Sequence, residues 1–146
     1  MSNQKIEGLM RDFVGALSEG NVEKVLSFFA EDATYETPFG TFKGKAALRR
    51  YLAWLAENNS DVTVNDSGLG IMVQGDKAVY EHVIGGFSRG SRWEVLALCA
   101  YEFSGDRIQH LRTVFDRLSV AKQVARGLIA RRAVGSIVKR MGKGLG

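Results

Sequence analysis

Few side chains of this 146-residue chain are placed by their spacing to do acid–base chemistry. Alternation along the predicted strands puts Glu81 on the more apolar face of a sheet, where desolvation would raise its pKa and suit a general base. Tyr35 would donate a hydrogen bond to a substrate carbonyl or phenol. The plainer alternatives are that Glu81 lies at an open rim or pairs with a lysine, and that Tyr35 packs in the core with its hydroxyl on backbone.

The cysteine and histidine content limits metal and thiol chemistry. Cys99 is the single cysteine, so neither a disulfide within the chain nor a cysteine-based zinc site is expected. We predict a small buried hydrophobe there unless a positive neighbour lowers its pKa. His82 and His110 fall with Arg112 on the outer sheet face, which favours a subunit interface over a metal site without a third ligand. The glycines form no nucleotide-binding motif, so we expect neither a metal nor a cofactor.

Three amphipathic helices followed by an antiparallel meander would position these residues. Apolar residues at helical spacing predict helices over about residues 6–17, 22–29 and 45–56, with Asn21 as the N-cap of the second. Period-two alternation between glycine-containing turns predicts strands at 78–87, 93–103 and 107–115. Helices first and strands after indicate an α+β fold. The pair Gly85 and Gly86 within a strand predicts a bulge or bend that curves the sheet.

Charge is distributed unevenly along the chain. Residues 1–116 hold 12 Lys and Arg against 16 Asp and Glu, a net charge of −4, whereas residues 117–146 hold 8 Lys and Arg and no acid. Residues 119–141 place apolar and basic side chains on opposite sides of one predicted helix. Such a helix lies on an anionic membrane surface, docks an acidic partner, or packs on its own subunit or dimer. No nucleic-acid motif accompanies the charge, so sequence-specific nucleic-acid binding is not expected.

Composition predicts one soluble domain. Hydrophobic residues make up 45% of the chain and charged residues 25%, which is ordinary for a globular protein. No apolar stretch approaches the length of a membrane span and the N-terminus has no signal-peptide pattern, so we expect a cytoplasmic protein. We divide the chain into a cone domain at 1–118 and a basic amphipathic helix with a flexible end at 119–146.

Several segments carry a family resemblance. They are residues 16–21 (ALSEGN), residues 29–35 (FAEDATY), the positions Pro38, Gly40 and Gly44, the helix to Leu52, and residues 108–116. Together they resemble the superfamily of nuclear transport factor 2, ketosteroid isomerase and SnoaL-like proteins over about residues 6–118. The resemblance implies a cone, in which a curved antiparallel sheet wraps around N-terminal helices and holds an apolar pocket in its mouth.

The resemblance also implies that the catalytic groups of these relatives are missing. Thr37 stands where a ketosteroid isomerase carries its base, and Phe13 and Cys99 stand where it carries its two acidic donors. The Asp-Arg-Asp set of limonene-epoxide-hydrolase-like members falls on Val83, Gly85 and Thr113.

The predicted function is therefore to bind a small hydrophobic molecule of polyketide, steroid or terpenoid type without those carboxylates. The alternative is an isomerase, cyclase or epoxide hydrolase that uses Glu81 and Tyr35 as its catalytic pair. Strand parity and the resemblance together predict the ligand-binding residues Phe13, Thr37, Val83, Phe87, Cys99, Tyr101, Thr113 and Phe115. The outer sheet face has an apolar centre and charged ends, which predicts a homodimer through that face.

Overall fold

The computed structural model describes residues 1–144 of the chain. The helices are α1 (Asn3–Ser18), α2 (Val22–Ser27), α3 (Gly44–Asn58), α4 (Arg117–Val124) and α5 (Gly127–Met141). The strands are β1 (Phe29–Thr37), β2 (Gly40–Lys43), β3 (Ser60–Gln74), β4 (Lys77–Ser88), β5 (Ser91–Ser104) and β6 (Arg107–Phe115). No helix among the described residues is long and apolar enough to cross a membrane.

The strands form one sheet, and the helices cover one face of it. The strand order is β2-β1-β6-β5-β4-β3, with β1 parallel to β6 and the other neighbouring pairs antiparallel. Helix α1 packs on β3, and α3 packs on β1 and β2. This architecture confirms the predicted α+β cone, in which a curved sheet surrounds the N-terminal helices.

The N-terminal helices form where the sequence pattern predicts them. In α1, Ile6, Met10 and Phe13 recur at helical spacing and are buried on one side of the helix. The side chain of Asn21 accepts a hydrogen bond from the Lys24 N–H at 3.0 Å, which confirms the predicted N-cap of α2. The helical spacing of apolar residues specifies α1, and a capping hydrogen bond to a nearby backbone N–H specifies the start of α2.

Strand β4 presents the opposite face to the core from the one predicted. Ala78, Tyr80 and His82 are buried, and Tyr80 pairs with Cys99, which lies inward on β5 as expected. The prediction is wrong for the inward placement of Val79, Glu81, Val83 and Phe87. Both faces of β4 carry apolar residues, because the outer sheet face has an apolar patch of its own. Hydrophobic alternation therefore does not distinguish the two faces of this strand.

The irregularity predicted at Gly85 and Gly86 lies in the neighbouring strand. Strand β4 pairs with β5 without a register shift through both glycines, whereas β3 shifts register between Ser60 and Thr63. A Cβ on Gly86 would lie 2.9 Å from the carbonyl oxygen of Ser60. The glycine is required because the backbone of the irregular strand approaches it closely.

The basic C-terminal segment is two helices rather than the single helix predicted. Ala125 and Arg126 are extended, and Gly127 has a φ of +79°, a conformation that favours glycine and turns the chain. Helix α4 is held on the sheet, since the Gln123 side chain bonds the N–H and the carbonyl of Glu94 at 2.9 and 2.8 Å. Helix α5 packs on α4. Residues 145 and 146, the last of the predicted flexible end, lie outside the described residues.

Candidate ligand-binding site

Three of the predicted site residues meet at the centre of the concave sheet face. The Tyr35 hydroxyl oxygen lies 3.2 Å from Thr113 Oγ1, and that oxygen lies 3.1 Å from Cys99 Sγ. Burial raises the pKa of Cys99 to about 11 and raises the pKa of Tyr35 well above its usual range. Both groups are therefore neutral near pH 7, and this centre offers hydroxyl and thiol hydrogens rather than a reactive thiolate.

Two further predicted site residues are core residues. The ring of Phe13 makes edge contacts with Phe28, Phe29 and Tyr101 at centroid distances of 5.9, 5.7 and 6.0 Å. Phe13 and Tyr101 are both almost completely buried. In this structure both side chains are packed within the core.

Glu81 lies on the outer face of the sheet, so the prediction that it faces the interior is wrong. Its Oε2 accepts a hydrogen bond from the Leu69 N–H at 3.3 Å, and a Cβ on Gly68 would overlap its carboxylate. Glu81 thus supports the irregular part of β3, where the register shifts a second time. Glu81 and Tyr35 lie on opposite faces of one sheet and do not come together.

Sequence reasoning missed a polar cluster at the edge of the concave face. The Tyr80 hydroxyl donates to Asp66 at 2.6 Å, and Arg11 of α1 bonds the same carboxylate. These hydrogen bonds, that of Tyr80 foremost, hold the pKa of Asp66 below its usual value. His82 stacks on Tyr80 with ring centroids 4.4 Å apart. The cluster depends on the pairing of β3 with β4 across a register shift, which has no local sequence signal.

His82 is expected to make stability fall under mildly acidic conditions. Burial lowers the pKa of His82 in the folded chain, so below about pH 6.5 the unfolded chain takes up the proton first and is favoured. The free energy of unfolding therefore has its full value above that pH and declines as the pH falls towards the folded-state pKa of His82. The substitution His82→Asn removes the imidazole that takes up this proton. Urea unfolding at about pH 7.5 and about pH 5.5 should show a smaller loss for the variant than for the wild type. Equal losses would contradict this role.

An aromatic groove lies open to solvent between the β1–β2 turn and α3. It has a volume of about 270 Å³ and is lined by Phe39, Phe42, Arg50, Tyr51 and Trp54. Phe42 stacks on Tyr51 with centroids 4.3 Å apart, and Phe39 meets Trp54 at 5.2 Å. Phe39 and Trp54 are 46% and 44% exposed. We call this set the aromatic groove; it can hold a flat apolar molecule against its rings.

The aromatic groove is connected to the centre of the concave face through Tyr51. The rings of Tyr51 and Tyr35 meet edge to face at 5.5 Å. Burial raises the pKa of Tyr51 to about 12, so its hydroxyl stays protonated near pH 7. The rings of Tyr51 and Tyr35 therefore link the groove to the buried core.

The turn that carries Phe39 is fixed by neighbouring side chains. Thr37 Oγ1 accepts from the Phe39 N–H at 3.0 Å and donates to the Gly40 carbonyl at 3.2 Å. The guanidinium of Arg117 lies 5.3 Å from the centroid of the Phe39 ring and donates to the Pro38 carbonyl at 2.6 Å. Thr37, a predicted ligand-binding residue, thus shapes the groove from within its turn.

Two of the predicted site residues, Phe115 and Thr37, contact Phe39, which lines the groove. The Phe115 and Phe39 rings lie 5.9 Å apart, whereas Val83 and Phe87 point away on the outer face. The sequence analysis did not select Phe39, Phe42, Arg50 or Trp54. The available signal was the i, i+3 pair Tyr51 and Trp54 on α3 beside the Pro38 turn.

The fold is shared with solved structures of low sequence identity. A hypothetical protein from Catenulispora acidiphila with a ketosteroid isomerase-like fold, solved in complex with trimethylamine, has a TM-score of 0.72 and 22% identity over 79% of this chain and 90% of that one. An epoxide hydrolase from Mycobacterium tuberculosis, similar to limonene epoxide hydrolase, has a TM-score of 0.72 and 20% identity over 89% and 96% of the two chains. An NTF2-like protein of unknown function from Burkholderia pseudomallei has a TM-score of 0.75 and 14% identity over 86% and 100%.

These likenesses define the fold as NTF2-like, the fold of nuclear transport factor 2. Residues 10–111 match the SnoaL-like domain. The chain therefore belongs to the SnoaL-like domain family, which confirms the resemblance in its sequence. No curated protein matches the chain. Because the fold hosts several chemistries, function has to be argued from the site.

Proposed function

We propose that this protein binds a small, flat hydrophobic molecule with an anionic group in the aromatic groove. A polyketide, steroid or terpenoid acid is the class of ligand that fits this description. The observation that carries the proposal is that aromatic rings of the groove, Phe39 and Trp54, are almost half exposed in an otherwise buried aromatic cluster. Covering these rings with a ligand would remove apolar surface from water.

The charge beside the groove supports the anionic character of the ligand. Arg50 lines the groove, and Arg117 lies over Phe39 at its edge. The related protein from Catenulispora was solved with trimethylamine, and aromatic rings also bind alkylammonium ions. Two guanidinium groups would repel such a cation, so we favour a carboxylate or phenolate over an amine.

Binding is favoured over catalysis by the position of the acidic groups. An isomerase or epoxide hydrolase with Glu81 and Tyr35 as its pair would need both groups on one substrate. The sheet separates them, and the described residues that line the groove include neither a carboxylate nor a histidine. We therefore do not assign the alternative enzymatic function to this pair.

Trp54 provides a direct test, because the chain has only two tryptophans, Trp54 and Trp93. We expect 2-naphthoate to quench tryptophan fluorescence in the wild type and in Trp93→Phe but to leave Trp54→Phe unquenched. The substitution Trp54→Ala should weaken naphthoate binding by about tenfold in calorimetry, since one aromatic wall is lost. Unchanged affinity in Trp54→Ala would contradict the proposed site.

A second comparison tests the charge. The substitution Arg50→Gln should weaken binding of 2-naphthoate but leave binding of the neutral 2-naphthol unchanged. Trimethylamine should bind less well than either. A wild-type protein that prefers trimethylamine would show that the groove selects cations.

We also propose that the chain forms a homodimer through the outer sheet face. Neighbouring apolar side chains on this face are exposed in one subunit, and we call five of them the outer patch: Met72, Val79, Leu96, Leu98 and Val114. Strand pairing makes them contiguous, since Val79 pairs with Met72 and Leu98 pairs with Val114. These side chains form a contiguous apolar surface rather than isolated exposed residues, and such a surface suits burial against a second copy.

Charged residues of both signs border the outer patch. His110 Nε2 lies 2.9 Å from Glu36 Oε1, and Arg112 bonds Glu102 on the same face. A face with an apolar centre and a rim of both signs is complementary to itself under two-fold symmetry. This supports a second copy as the occupant rather than a partner of one charge.

A further inference from the structure

Helix α5 carries an apolar stripe that the other described residues, up to 144, leave open. Ile129, Ala133, Ile137 and Met141 recur every four residues and therefore lie along one side of the helix. All four are exposed, with Ile129 at 87% and Met141 at 74%. We call these four residues the α5 stripe.

The α5 stripe is not the face that attaches the helix to the protein. Ala130, Val134, Gly135 and Val138 are the half-buried residues of α5, and α5 packs on α4. A groove of about 380 Å³ remains between the two helices, lined by Val138 and Met141 on one side and by the first turns of α4 on the other. Met141, at the end of the α5 stripe, borders this groove, whereas Ile129, Ala133 and Ile137 are turned to the surroundings.

Positive charge accompanies the α5 stripe. Arg132 and Arg140 each lie three residues after a member of the stripe and are therefore its neighbours on the helix surface. The whole segment from residue 117 onward holds 8 Lys and Arg with no Asp or Glu. An uncompensated positive segment attracts a negatively charged surface. The combination of an open apolar stripe and adjacent guanidinium groups is typical of a helix that lies in the plane of a membrane surface.

We propose that α5 binds the surface of an anionic lipid bilayer, with the α5 stripe in the headgroup region and the arginines on lipid phosphates. The helix has 15 residues and is too short and too polar to cross. An acidic polypeptide would satisfy the charges but would leave the four apolar side chains of the stripe exposed unless it offered its own apolar surface. The bilayer satisfies both features at once.

The full chain should sediment with vesicles of phosphatidylcholine and phosphatidylglycerol at low salt, and less so at high salt. Vesicles of phosphatidylcholine alone should bind it about tenfold less well. The double substitution Ile129→Ser with Ile137→Ser should lower binding by about tenfold at unchanged charge, since it removes two apolar side chains that the bilayer would bury. A control is Leu69→Ser, which changes another exposed apolar side chain, on β3, and should leave binding unchanged.

Three further double variants keep the test decisive if the serine variant does not fold. Ile129→Leu with Ile137→Leu should retain binding, and Arg132→Gln with Arg140→Gln should lower it, whereas Arg89→Gln with Arg92→Gln on the body should not. Equal binding to both vesicle types would overturn the proposal. So would wild-type binding by the serine variant. Binding to soluble polyglutamate without binding to vesicles would identify an acidic partner instead and would also overturn it.

Discussion

Replacing Phe13 by alanine should lower the free energy of unfolding by about 3–5 kcal/mol. Phe13 is 1% exposed and touches three aromatic rings at 5.7 to 6.0 Å, so the truncation leaves a cavity that these rings cannot close without moving. Urea denaturation followed by fluorescence measures the loss. Leu128→Ala is the control, because Leu128 is exposed and should change stability by less than about 0.5 kcal/mol.

The same variant separates a core role from a ligand-binding role for Phe13. If Phe13→Ala lost little stability but bound 2-naphthoate poorly, Phe13 would line a pocket as the sequence and its resemblance predicted. We expect the reverse result, with stability lost and the affinity of the remaining folded protein unchanged, because the aromatic groove is formed by other residues.

Replacing Leu98 by glutamate should convert the proposed dimer into monomers. Leu98 lies within the outer patch, between Glu81 on β4 and Val114 on β6. A two-fold interface would bury two copies of the new carboxylate without partners, and each costs several kcal/mol, so the dissociation constant should rise by about 100-fold or more. Sedimentation velocity over a range of concentrations measures the change.

Leu128→Glu provides the matched control for this substitution. Leu128 is also an exposed leucine but lies on α5, away from the sheet, so its variant should sediment as the wild type does. Near-native far-UV circular dichroism of both variants would confirm that they fold. A monomeric wild type, or a dimeric Leu98→Glu, would contradict an interface at the outer patch.

Local patterns in the sequence determine the N-terminal helices and part of the sheet. Helix α1 follows from apolar residues spaced three and four apart, and the start of α2 follows from Asn21, whose side chain bonds a backbone N–H three residues away. Strand β5 follows from its alternation, because the inward positions from Trp93 to Phe103 are all apolar whereas the outward positions include Glu94 and Glu102. Each of these features depends on interactions within a few residues, and such interactions are visible in the order of residue types.

Tertiary structure decides which face of β4 is buried, and hence the role of Glu81. Both faces of that strand are apolar, one for the core and one for the outer patch. Only the pairing of Tyr80 with Cys99 establishes that Tyr80 and His82 face inward. That pairing is a contact between distant parts of the chain, so alternation alone assigned Glu81 to the wrong side.

The candidate site is likewise a product of distant segments. The aromatic groove combines Phe39 from the β1–β2 turn with Tyr51 and Trp54 from α3, and Arg117 and Phe115 come to its edge from the end of the sheet. The sequence by itself determined the family and the N-terminal helices. The groove was decided by tertiary structure, because its rings meet only after β1 and β6 pair in parallel and α3 packs across β1 and β2.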